Sequence, residues 1–311
     1  MSILLACDFD AADWARWRPA LQAALPGERF VDARGAVADD AIDIAIVANP
    51  PPGALAGLPA LKLIQSLWAG VDRLLADATL PAGVPVARMV DPAMNAAMAE
   101  TALWAVLALH RGFFRYARLQ REARWAPHAQ RRADELTVAV LGLGQMGRAA
   151  AQRLAAQGYR VLGWSARPQA VEGVTVRDGD AALPGLLDEA DIVVNLLPLT
   201  PATHGLFDAA RLALLKPDAS LVNLARGAHV DEAALLAALD AGRLRHAVLD
   251  VFGTEPLPAG HPFWRHPRVT VLPHAAALTD PRSAAQVAAA NVRALRAGAT
   301  PAHRVDRARG Y

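Results

Sequence analysis

The chain has 311 residues, of which 54% are hydrophobic and 20% are charged. This balance excludes an intrinsically disordered chain, and the length suits two hydrophobic cores better than one. The formal net charge is only +2, from 32 basic and 30 acidic residues scattered along the chain, so composition does not indicate nucleic-acid binding.

The N-terminal segment predicts a buried strand that carries the only cysteine. Cys7 ends the apolar run at residues 3–7, and a single cysteine excludes an intrachain disulfide and cysteine-based zinc sites. We interpret its thiol as structural. No basic segment followed by a long apolar stretch opens the chain, so we expect no signal peptide and a cytoplasmic protein.

Short β-like runs alternate with Ala- and Leu-rich stretches in the first part of the chain. They predict strands at residues 3–7, 42–47, 61–65 and 84–87. The run Pro-Pro-Pro-Gly at residues 50–53 predicts a loop, because prolines cannot donate to a β-ladder.

A long helix is predicted at residues 92–121. Its most apolar part, residues 93–110, contains Asn95 and Glu100, so it fits a core helix better than a membrane span. The basic stretch at residues 111–132 follows, with Trp125 and Pro127 within it. This stretch is interpreted as a linker, as a dimerisation arm or as a solvated surface loop.

A second series of alternating strands and helices fills the rest of the chain. Strands are predicted at residues 137–141, 160–164, 191–196, 220–223, 247–251 and 269–272, and helices at 146–157, 206–215 and 231–241. Strands separated by helices predict a parallel sheet with helices on both faces.

A glycine-rich turn joins the first of these strands to an Ala-rich helix. The segment Gly142-Leu143-Gly144-Gln145-Met146-Gly147 matches G-x-G-x-x-G in its required context of strand, turn and helix. Gly142 would permit the tight turn, Gly144 would let the backbone approach a pyrophosphate, and Gly147 would allow close helix–strand packing. The phosphates would lie at the positive end of the helix, with Gln145 and Met146 in its first turn.

The end of the next strand predicts which dinucleotide binds. An NAD enzyme usually has a carboxylate near this position for the ribose 2′-hydroxyl, whereas this chain has Trp164, Ser165 and Arg167 and no acid. A hydroxyl and a guanidinium suit a 2′-phosphate, which favours NADP(H), with weaker use of NAD(H). Alternatively, Arg167 is one more surface arginine.

Three later segments each follow a predicted strand, and they carry Arg226, Glu255 and His274. Strand ends of this kind form the crevice in which such sheets bind ligands. A 2-oxo acid needs a cation for its carboxylate and carbonyl and a proton donor for the oxygen that gains charge. A carboxylate beside a histidine favours the imidazolium and fixes its orientation.

With these motifs, the chain resembles the D-isomer-specific 2-hydroxyacid dehydrogenase family over essentially its whole length. The matching segments are residues 69–72, 142–147, 196–200, 223–227, 249–256 and 273–274. Residues 164–168, 224–230 and 305–311 look closest to the glyoxylate/hydroxypyruvate reductase A subgroup. The resemblance implies a Rossmann-type doubly wound parallel sheet as coenzyme domain, residues 98–276. It also implies a smaller flavodoxin-like α/β substrate-binding lid domain, residues 1–97 and 277–311.

The same resemblance implies roles for individual residues. Arg226 would bind the substrate carboxylate and carbonyl, and His274, paired with Glu255, would be the general acid in reduction and general base in oxidation. Backbone N–H groups of the substrate loop would hold the substrate carboxylate; this loop is Ala69, Gly70 and Val71. Further cofactor contacts would come from Leu197, Pro198 and Ala225, and from Asp250 at the nicotinamide carboxamide.

The expected function is NADPH-dependent reduction of glyoxylate or hydroxypyruvate to glycolate or D-glycerate by a homodimer, with no metal, nucleic-acid or membrane partner. Ala48 and Asn49 stand where the subgroup often has an aromatic residue, so reduction of bulkier 2-oxo acids stays open. The alternatives are an NAD-linked relative, such as a phosphoglycerate or formate dehydrogenase, and a non-catalytic nucleotide-sensing protein. Trp68 and Trp264 either line the substrate pocket or pack, and His261 and His266 form no complete metal-ligand set.

Overall fold

The structure, a computed structural model, describes residues 1–311 and divides the chain into two compact units. Unit 1 comprises Met1–Met94 and Thr279–Tyr311, and unit 2 comprises Asn95–Leu278. In chain order the first elements are β1 (Ser2–Cys7), α1 (Ala11–Ala24), β2 (Phe30–Val31), β3 (Ile42–Ala48), β4 (Leu63–Ser66), α2 (Asp72–Leu75), β5 (Val86–Ala87), α3 (Pro92–His110) and α4 (Phe113–Arg121). The later elements are β6 (Thr137–Leu141), α5 (Gln145–Ala156), β7 (Arg160–Ser165), β8 (Thr175–Asp178), α6 (Leu183–Glu189), β9 (Ile192–Asn195), α7 (Ala209–Leu214), β10 (Ala219–Asn223), α8 (Glu232–Asp240), β11 (Leu244–Leu249), β12 (Val269–Val271) and α9 (Pro281–Arg296).

Unit 1 is built on a five-stranded parallel sheet with the strand order β2-β1-β3-β4-β5. This is the order of flavodoxin-like doubly wound sheets. All seven residues of β3 are buried, as expected for a parallel strand that is covered on both faces. Burial raises the pKa of the Cys7 thiol, at the end of β1, to about 12, so this thiol stays protonated at neutral pH.

Unit 2 is built on a seven-stranded parallel sheet with the order β12-β11-β10-β9-β6-β7-β8. The order reverses between β6 and β9, which are neighbours in the sheet although two strands separate them in the chain. Ligands of doubly wound sheets bind outside the carboxyl ends of the strands at such a reversal. The predicted fold class is confirmed.

The long helix predicted at residues 92–121 is wrong as one element, because the structure has α3 and α4 there. Gly112 separates them with a φ of 73°, and a Cβ at this position would lie 2.3 Å from Cε1 of His128. The predicted basic stretch therefore contains a helix, and only residues 111–112 and 122–132 of it lack regular secondary structure. Two other predicted elements have different bounds in the structure. The helix predicted at residues 206–215 is the shorter α7, and the strand predicted at residues 247–251 is β11, which begins at Leu244.

Helix α3 is long and apolar enough, by length and composition, to cross a membrane, with a mean hydropathy of 1.2. The core helices of globular proteins can be equally long and apolar. Here Met98, Ala102, Val106 and Leu109 are buried in the core of unit 2 beside residues of β6 and α5. The apolar character of α3 is thus explained by its packing.

Candidate active site

The glycine-rich turn between β6 and α5 has a different requirement at each glycine. Gly142 has a φ of 92°, and Gly147 leaves so little space that a Cβ there would lie 1.7 Å from the carbonyl oxygen of Gly142. By contrast, a Cβ on Gly144 would meet no atom within 4 Å. The first and third glycines are therefore required by the protein's own packing, whereas the second leaves open space above the turn.

Helix α5 begins directly at this open space, with Gly144 as its N-cap and Gln145 and Met146 as its first residues. No side chain caps the helix, and its first turn contains no acidic residue. Free N–H groups at the positive end of a helix attract phosphate. The turn and helix therefore fit the pyrophosphate of a dinucleotide.

Residues that follow β7 form a turn held by Ser165. The buried Ser165 hydroxyl donates to the carbonyl oxygen of Arg167 at 2.5 Å, and the Arg167 side chain is exposed. Trp164 is buried and its indole N–H donates to the carbonyl oxygen of Gly179 at 2.9 Å. Trp164 thus anchors the end of the strand, whereas Arg167 offers a cation that could contact a phosphate.

A buried polar network supports the Leu197–Pro198 turn, and no motif in the sequence points to it. Asn195 donates through Nδ2 to Oδ1 of Asn223 at 3.0 Å and to Nδ1 of His229 at 2.9 Å. The other ring nitrogen of His229 lies 3.3 Å from the carbonyl oxygen of Pro198. Since Nδ1 accepts, Nε2 carries the proton and donates to Pro198, so the network ties this turn to β9 and β10.

Arg226 follows β10 in a segment that Asn223 and Phe252 hold by close contacts. Nδ2 of Asn223 donates to the carbonyl oxygen of Arg226 at 2.9 Å, and Oδ1 of Asn223 accepts from the N–H of Ala225 at 3.3 Å. Gly227 packs so closely on the backbone of Phe252 that a Cβ would lie 1.9 Å from its carbonyl carbon. The backbone that carries Arg226 is therefore held in one position.

His274 and Glu255 form a hydrogen-bonded pair. Nδ1 of His274 lies 2.7 Å from Oε2 of Glu255, and Oε1 of Glu255 accepts from the N–H of Phe252 at 2.9 Å. The His274 side chain is 51% exposed and its backbone has a φ of 53°. Glu255 is thus fixed by the chain and in turn orients the imidazole, leaving Nε2 for other partners.

Asp250 directly follows β11 and is buried. It contacts residues 274–276, here called the His274 loop. Its two carboxylate oxygens accept from the N–H groups of Ala275 and Ala276 at 2.7 and 3.0 Å, and its carbonyl oxygen accepts from the N–H of His274 at 2.9 Å. Burial raises the pKa of this carboxyl, although the two N–H bonds oppose the shift. The contacts assign Asp250 first to the geometry of the His274 loop.

The substrate loop lies in unit 1, whereas Arg226, Glu255 and His274 lie in unit 2. None of the backbone N–H groups of Ala69, Gly70 and Val71 donates to a protein acceptor. Backbone N–H groups without a protein acceptor are donors that the oxygens of an anion can accept from. The loop therefore fits a carboxylate.

Trp68 precedes the substrate loop and packs among aromatic rings. Its ring centroid lies 6.2 Å from that of Phe9 and 6.0 Å from that of Trp17. Its backbone N–H donates to the Ser66 hydroxyl at 3.0 Å, and its carbonyl oxygen accepts from the N–H of Met89 at 3.0 Å. These contacts indicate that Trp68 holds the start of the loop.

The remaining candidates have partners within the protein. Trp264 is half exposed and donates to the carbonyl oxygen of Pro258 at 3.0 Å, whereas His261 pairs with Glu232 at 3.3 Å and His266 with Asp240 at 3.1 Å. No group of three His, Cys, Asp or Glu side chains could hold a metal ion.

Known proteins resemble this chain over most of its length. Residues 103–276 match the model of the family described as D-isomer specific 2-hydroxyacid dehydrogenase, NAD binding domain. A glyoxylate/hydroxypyruvate reductase A of Serratia proteamaculans is 46% identical over 278 residues, 88% of this chain and 89% of the relative. The reductase of the same name from Yersinia enterocolitica is 40% identical, over 95% of this chain and 96% of the relative.

Solved structures agree with these matches. A D-isomer specific 2-hydroxyacid dehydrogenase from Xanthobacter autotrophicus Py2, in complex with NADPH and MES, has a TM-score of 0.94 and 45% identity, covering 100% of this chain and 99% of that one. The NADPH-dependent glyoxylate/hydroxypyruvate reductase of Sinorhizobium meliloti, in complex with NADP and sulfate, has a TM-score of 0.92 and 35% identity, covering 100% of both chains. The chain belongs to the D-isomer specific 2-hydroxyacid dehydrogenase family.

Proposed function

We propose that this chain is an NADPH-dependent reductase of small 2-oxo acids, which converts glyoxylate to glycolate and hydroxypyruvate to D-glycerate. The hydrogen bond between Glu255 and His274, at 2.7 Å, carries the proposal because nucleotide binding alone requires no oriented proton donor. The relatives described above support the substrate class and the cofactor. A non-catalytic nucleotide sensor is not favoured by any contact.

The chain's own residues would divide the chemistry as follows. Arg226 would bind the carboxylate and the carbonyl oxygen of the substrate, and the free N–H groups of the substrate loop would hold the carboxylate. When bound, NADPH supplies the hydride that reduces the carbonyl carbon. Since Nδ1 of His274 faces Glu255, His274 would donate the Nε2 proton to the carbonyl oxygen and keep its Nδ1 proton on the Glu255 side.

The cofactor would lie along the carboxyl ends of the strands of unit 2. Gly144, Gln145 and Met146 would hold the pyrophosphate, and Arg167 would contact the adenosine 2′-phosphate from the turn that the Ser165 hydroxyl holds. The turn at Leu197 and Pro198, with Ala225 and Asp250, would border the nicotinamide. Unit 2 would thus be the coenzyme domain, and unit 1 would be a substrate-binding lid that excludes water from the reaction.

We further infer a cytoplasmic homodimer. Trp125 is 98% exposed and Phe113 is 55% exposed, and both belong to the basic stretch at residues 111–132. Large apolar side chains left in solvent indicate an interaction surface, and a second copy of the chain is the expected occupant. Light scattering should give twice the mass of the chain, and a monomer would contradict the inference.

The activity is tested by the initial rate of NADPH oxidation at 340 nm with glyoxylate, hydroxypyruvate, pyruvate and phenylpyruvate, repeated with NADH. We expect fast NADPH oxidation with the two small polar acids. Turnover that favours phenylpyruvate would retain the chemistry but move the substrate class to bulkier acids. Turnover that favours NADH would contradict the cofactor assignment, and tight NADPH binding without turnover would support a sensor.

A further inference from the structure

Arg148, in the first turns of α5, contacts the loop that follows β7. Its Nη1 donates to the carbonyl oxygen of Ala170 at 2.9 Å, and its Nη2 donates to Oε1 of Gln169 at 3.1 Å. Both acceptors lie just beyond Arg167, in a part of the chain that has no helix or strand of its own. One guanidinium thus joins the helix that begins at the glycine-rich turn to the loop that carries Arg167.

The two ends of this connection are the two places where the dinucleotide's phosphates would bind. The start of α5 offers free N–H groups to the pyrophosphate, and the loop offers the exposed Arg167 to the 2′-phosphate. A flexible loop would lose conformational entropy each time it closes on a phosphate. A loop already held by two hydrogen bonds from a charged donor would lose less, and such bonds are stronger than neutral ones.

The contacts at the Arg167 end of the loop are few. Ser165 holds only the carbonyl oxygen of Arg167, and the exposed Ala166, Arg167 and Pro168 pack on no core cluster. The bonds from Arg148 therefore hold the far side of the loop, as Ser165 holds the near side. Arg167 therefore belongs to a short segment that is held at residue 167 by Ser165 and at residues 169–170 by Arg148.

We propose that Arg148 is a positioning residue for recognition of the adenosine 2′-phosphate: by holding Gln169 and Ala170 it fixes the loop from which Arg167 contacts that phosphate. This inference rests on the proposed use of NADPH. It assigns Arg148 a share in discrimination between NADPH and NADH, and none in hydride transfer.

The test measures binding of 2′,5′-ADP and of 5′-AMP to the full chain by calorimetry, because these ligands differ in the 2′-phosphate and need no turnover. Arg148→Met should weaken 2′,5′-ADP by about tenfold and leave 5′-AMP within about twofold, the effect expected from the loss of hydrogen bonds made by a charged group. Arg153→Met is the matched control, since Arg153 is exposed on the same helix and contacts no part of the loop. It should change neither affinity.

Two further variants separate positioning from simple charge. Gln169→Ala removes one of the two acceptors and should weaken 2′,5′-ADP in the same direction by a smaller factor. Arg148→Lys keeps the charge but lacks the two-pronged guanidinium, and it should lose most of the discrimination. Full retention of discrimination in Arg148→Lys would show that charge alone acts, which would overturn the positioning role.

Hydrogen exchange without nucleotide gives a readout that does not depend on binding. The N–H of Val174, which donates at 3.2 Å to the carbonyl oxygen of Val171 at the end of this loop, should exchange faster in Arg148→Met than in Arg153→Met. If the wild-type chain bound 2′,5′-ADP no better than 5′-AMP, the proposed cofactor preference would itself fail. If the wild-type chain discriminates and Arg148→Met discriminates equally, only the role of Arg148 is rejected.

Discussion

A single hydrogen bond decides which nitrogen of His274 is left for partners other than Glu255. Glu255 holds Nδ1, and the second Glu255 oxygen is held by the N–H of Phe252. The orientation of the imidazole therefore depends on a carboxylate that has one fixed partner for each oxygen. An amide in its place has only one acceptor oxygen and cannot satisfy both donors.

We therefore expect Glu255→Gln to lower kcat by about tenfold or more and His274→Ala by about 10²-fold, in the range for loss of a general acid and its orientation. Rates at saturating NADPH and hydroxypyruvate measure both effects, and thermal unfolding shows whether the variants remain folded. A near-normal kcat in folded His274→Ala would remove this residue from the mechanism.

The second and third glycines of the turn before α5 make a matched pair. Gly144→Ala places a Cβ in open space at a φ of −66°, so the variant should keep the wild-type melting temperature and yet bind NADPH at least tenfold more weakly, on the order of one lost backbone contact to phosphate. Gly147→Ala places a Cβ 1.7 Å from the Gly142 oxygen and should lose stability as well as binding. Thermal unfolding and NADPH titration measure both, and an unchanged affinity in Gly144→Ala would contradict the pyrophosphate site.

Residues at strand ends could be predicted from sequence because their chemistry and their place in the chain coincide. Arg226, Glu255 and His274 belong to this class, although their catalytic roles stay predictions. Asn195 and His229 could not be found this way, because their contact depends on which strands are neighbours. Asn195 and Asn223 are register partners on β9 and β10, and only the strand order brings them together.

At the scale of elements, the sequence pattern identified most strands and misjudged where helices break. The helix-favouring residues on both sides of residues 111 and 112 predict one helix from 92 to 121. Gly112 is the local signal for the break, because it has a φ of 73° and glycine in this conformation commonly ends a helix. Strand β8 was missed because this edge strand has no fully buried residue and lacks the apolar run of the others.

The packing of α4 against the sheet predicts a pH-dependent stability. His246 on β11 stacks on Phe114 of α4 with ring centroids 4.5 Å apart, and its Nε2 lies 2.9 Å from the Thr270 hydroxyl of β12. Burial lowers the pKa of His246 from 6.5 to about 4, and His266 and Arg268 act in the same direction. The folded chain thus resists protonation that the unfolded chain accepts. The contribution of His246 to the free energy of unfolding is therefore present above pH 6.5 and is lost as the pH falls towards 4.

We expect the free energy of unfolding contributed by His246 to fall by about 2 kcal/mol between pH 7 and pH 5. His246→Gln can keep a bond to Thr270 but cannot take up the proton, so it should remove that part of the pH dependence. Urea unfolding at the two pH values measures the effect. The control is His204→Gln, which replaces an exposed histidine of the same unit. Its change in the free energy of unfolding between the two pH values is subtracted to correct for the loss of a histidine. Equal pH dependence in wild type and His246→Gln would contradict the assignment.

The alternation of strands and helices along the chain is enough to predict parallel sheets, because parallel strands need crossover connections. The order of the strands was not contained in that pattern. The family resemblance implied only the fold types, Rossmann-type and flavodoxin-like, and both observed sheets have the strand orders of these types. The reversal between β6 and β9 brings together the turn at Gly142 and the turn at Leu197, since a Cβ on Gly142 would lie 2.7 Å from the Leu196 carbonyl oxygen.

The division of the chain predicts that cofactor binding and turnover can be separated. Unit 2 is one continuous segment with its own core, whereas unit 1 is made from both ends of the chain. A fragment of residues 91–278 keeps α3 whole and retains the bond from the Thr101 hydroxyl to the Ala276 carbonyl, at 2.7 Å. At this size a single domain buries about 70% of the surface of its unfolded chain, so we expect the fragment to fold.

The fragment contains the glycine-rich turn, Arg167, Arg226 and His274, and it lacks the substrate loop. We therefore expect it to bind NADPH within a few fold of the full chain and to show no measurable reduction of glyoxylate or hydroxypyruvate, because the proposed donors for the substrate carboxylate and the proposed lid are absent. Circular dichroism and a cooperative thermal transition establish folding, titration of NADPH fluorescence measures binding, and the full chain at equal concentration is the control. Turnover by the fragment at a rate near that of the full chain would show that unit 1 holds no part of the substrate site.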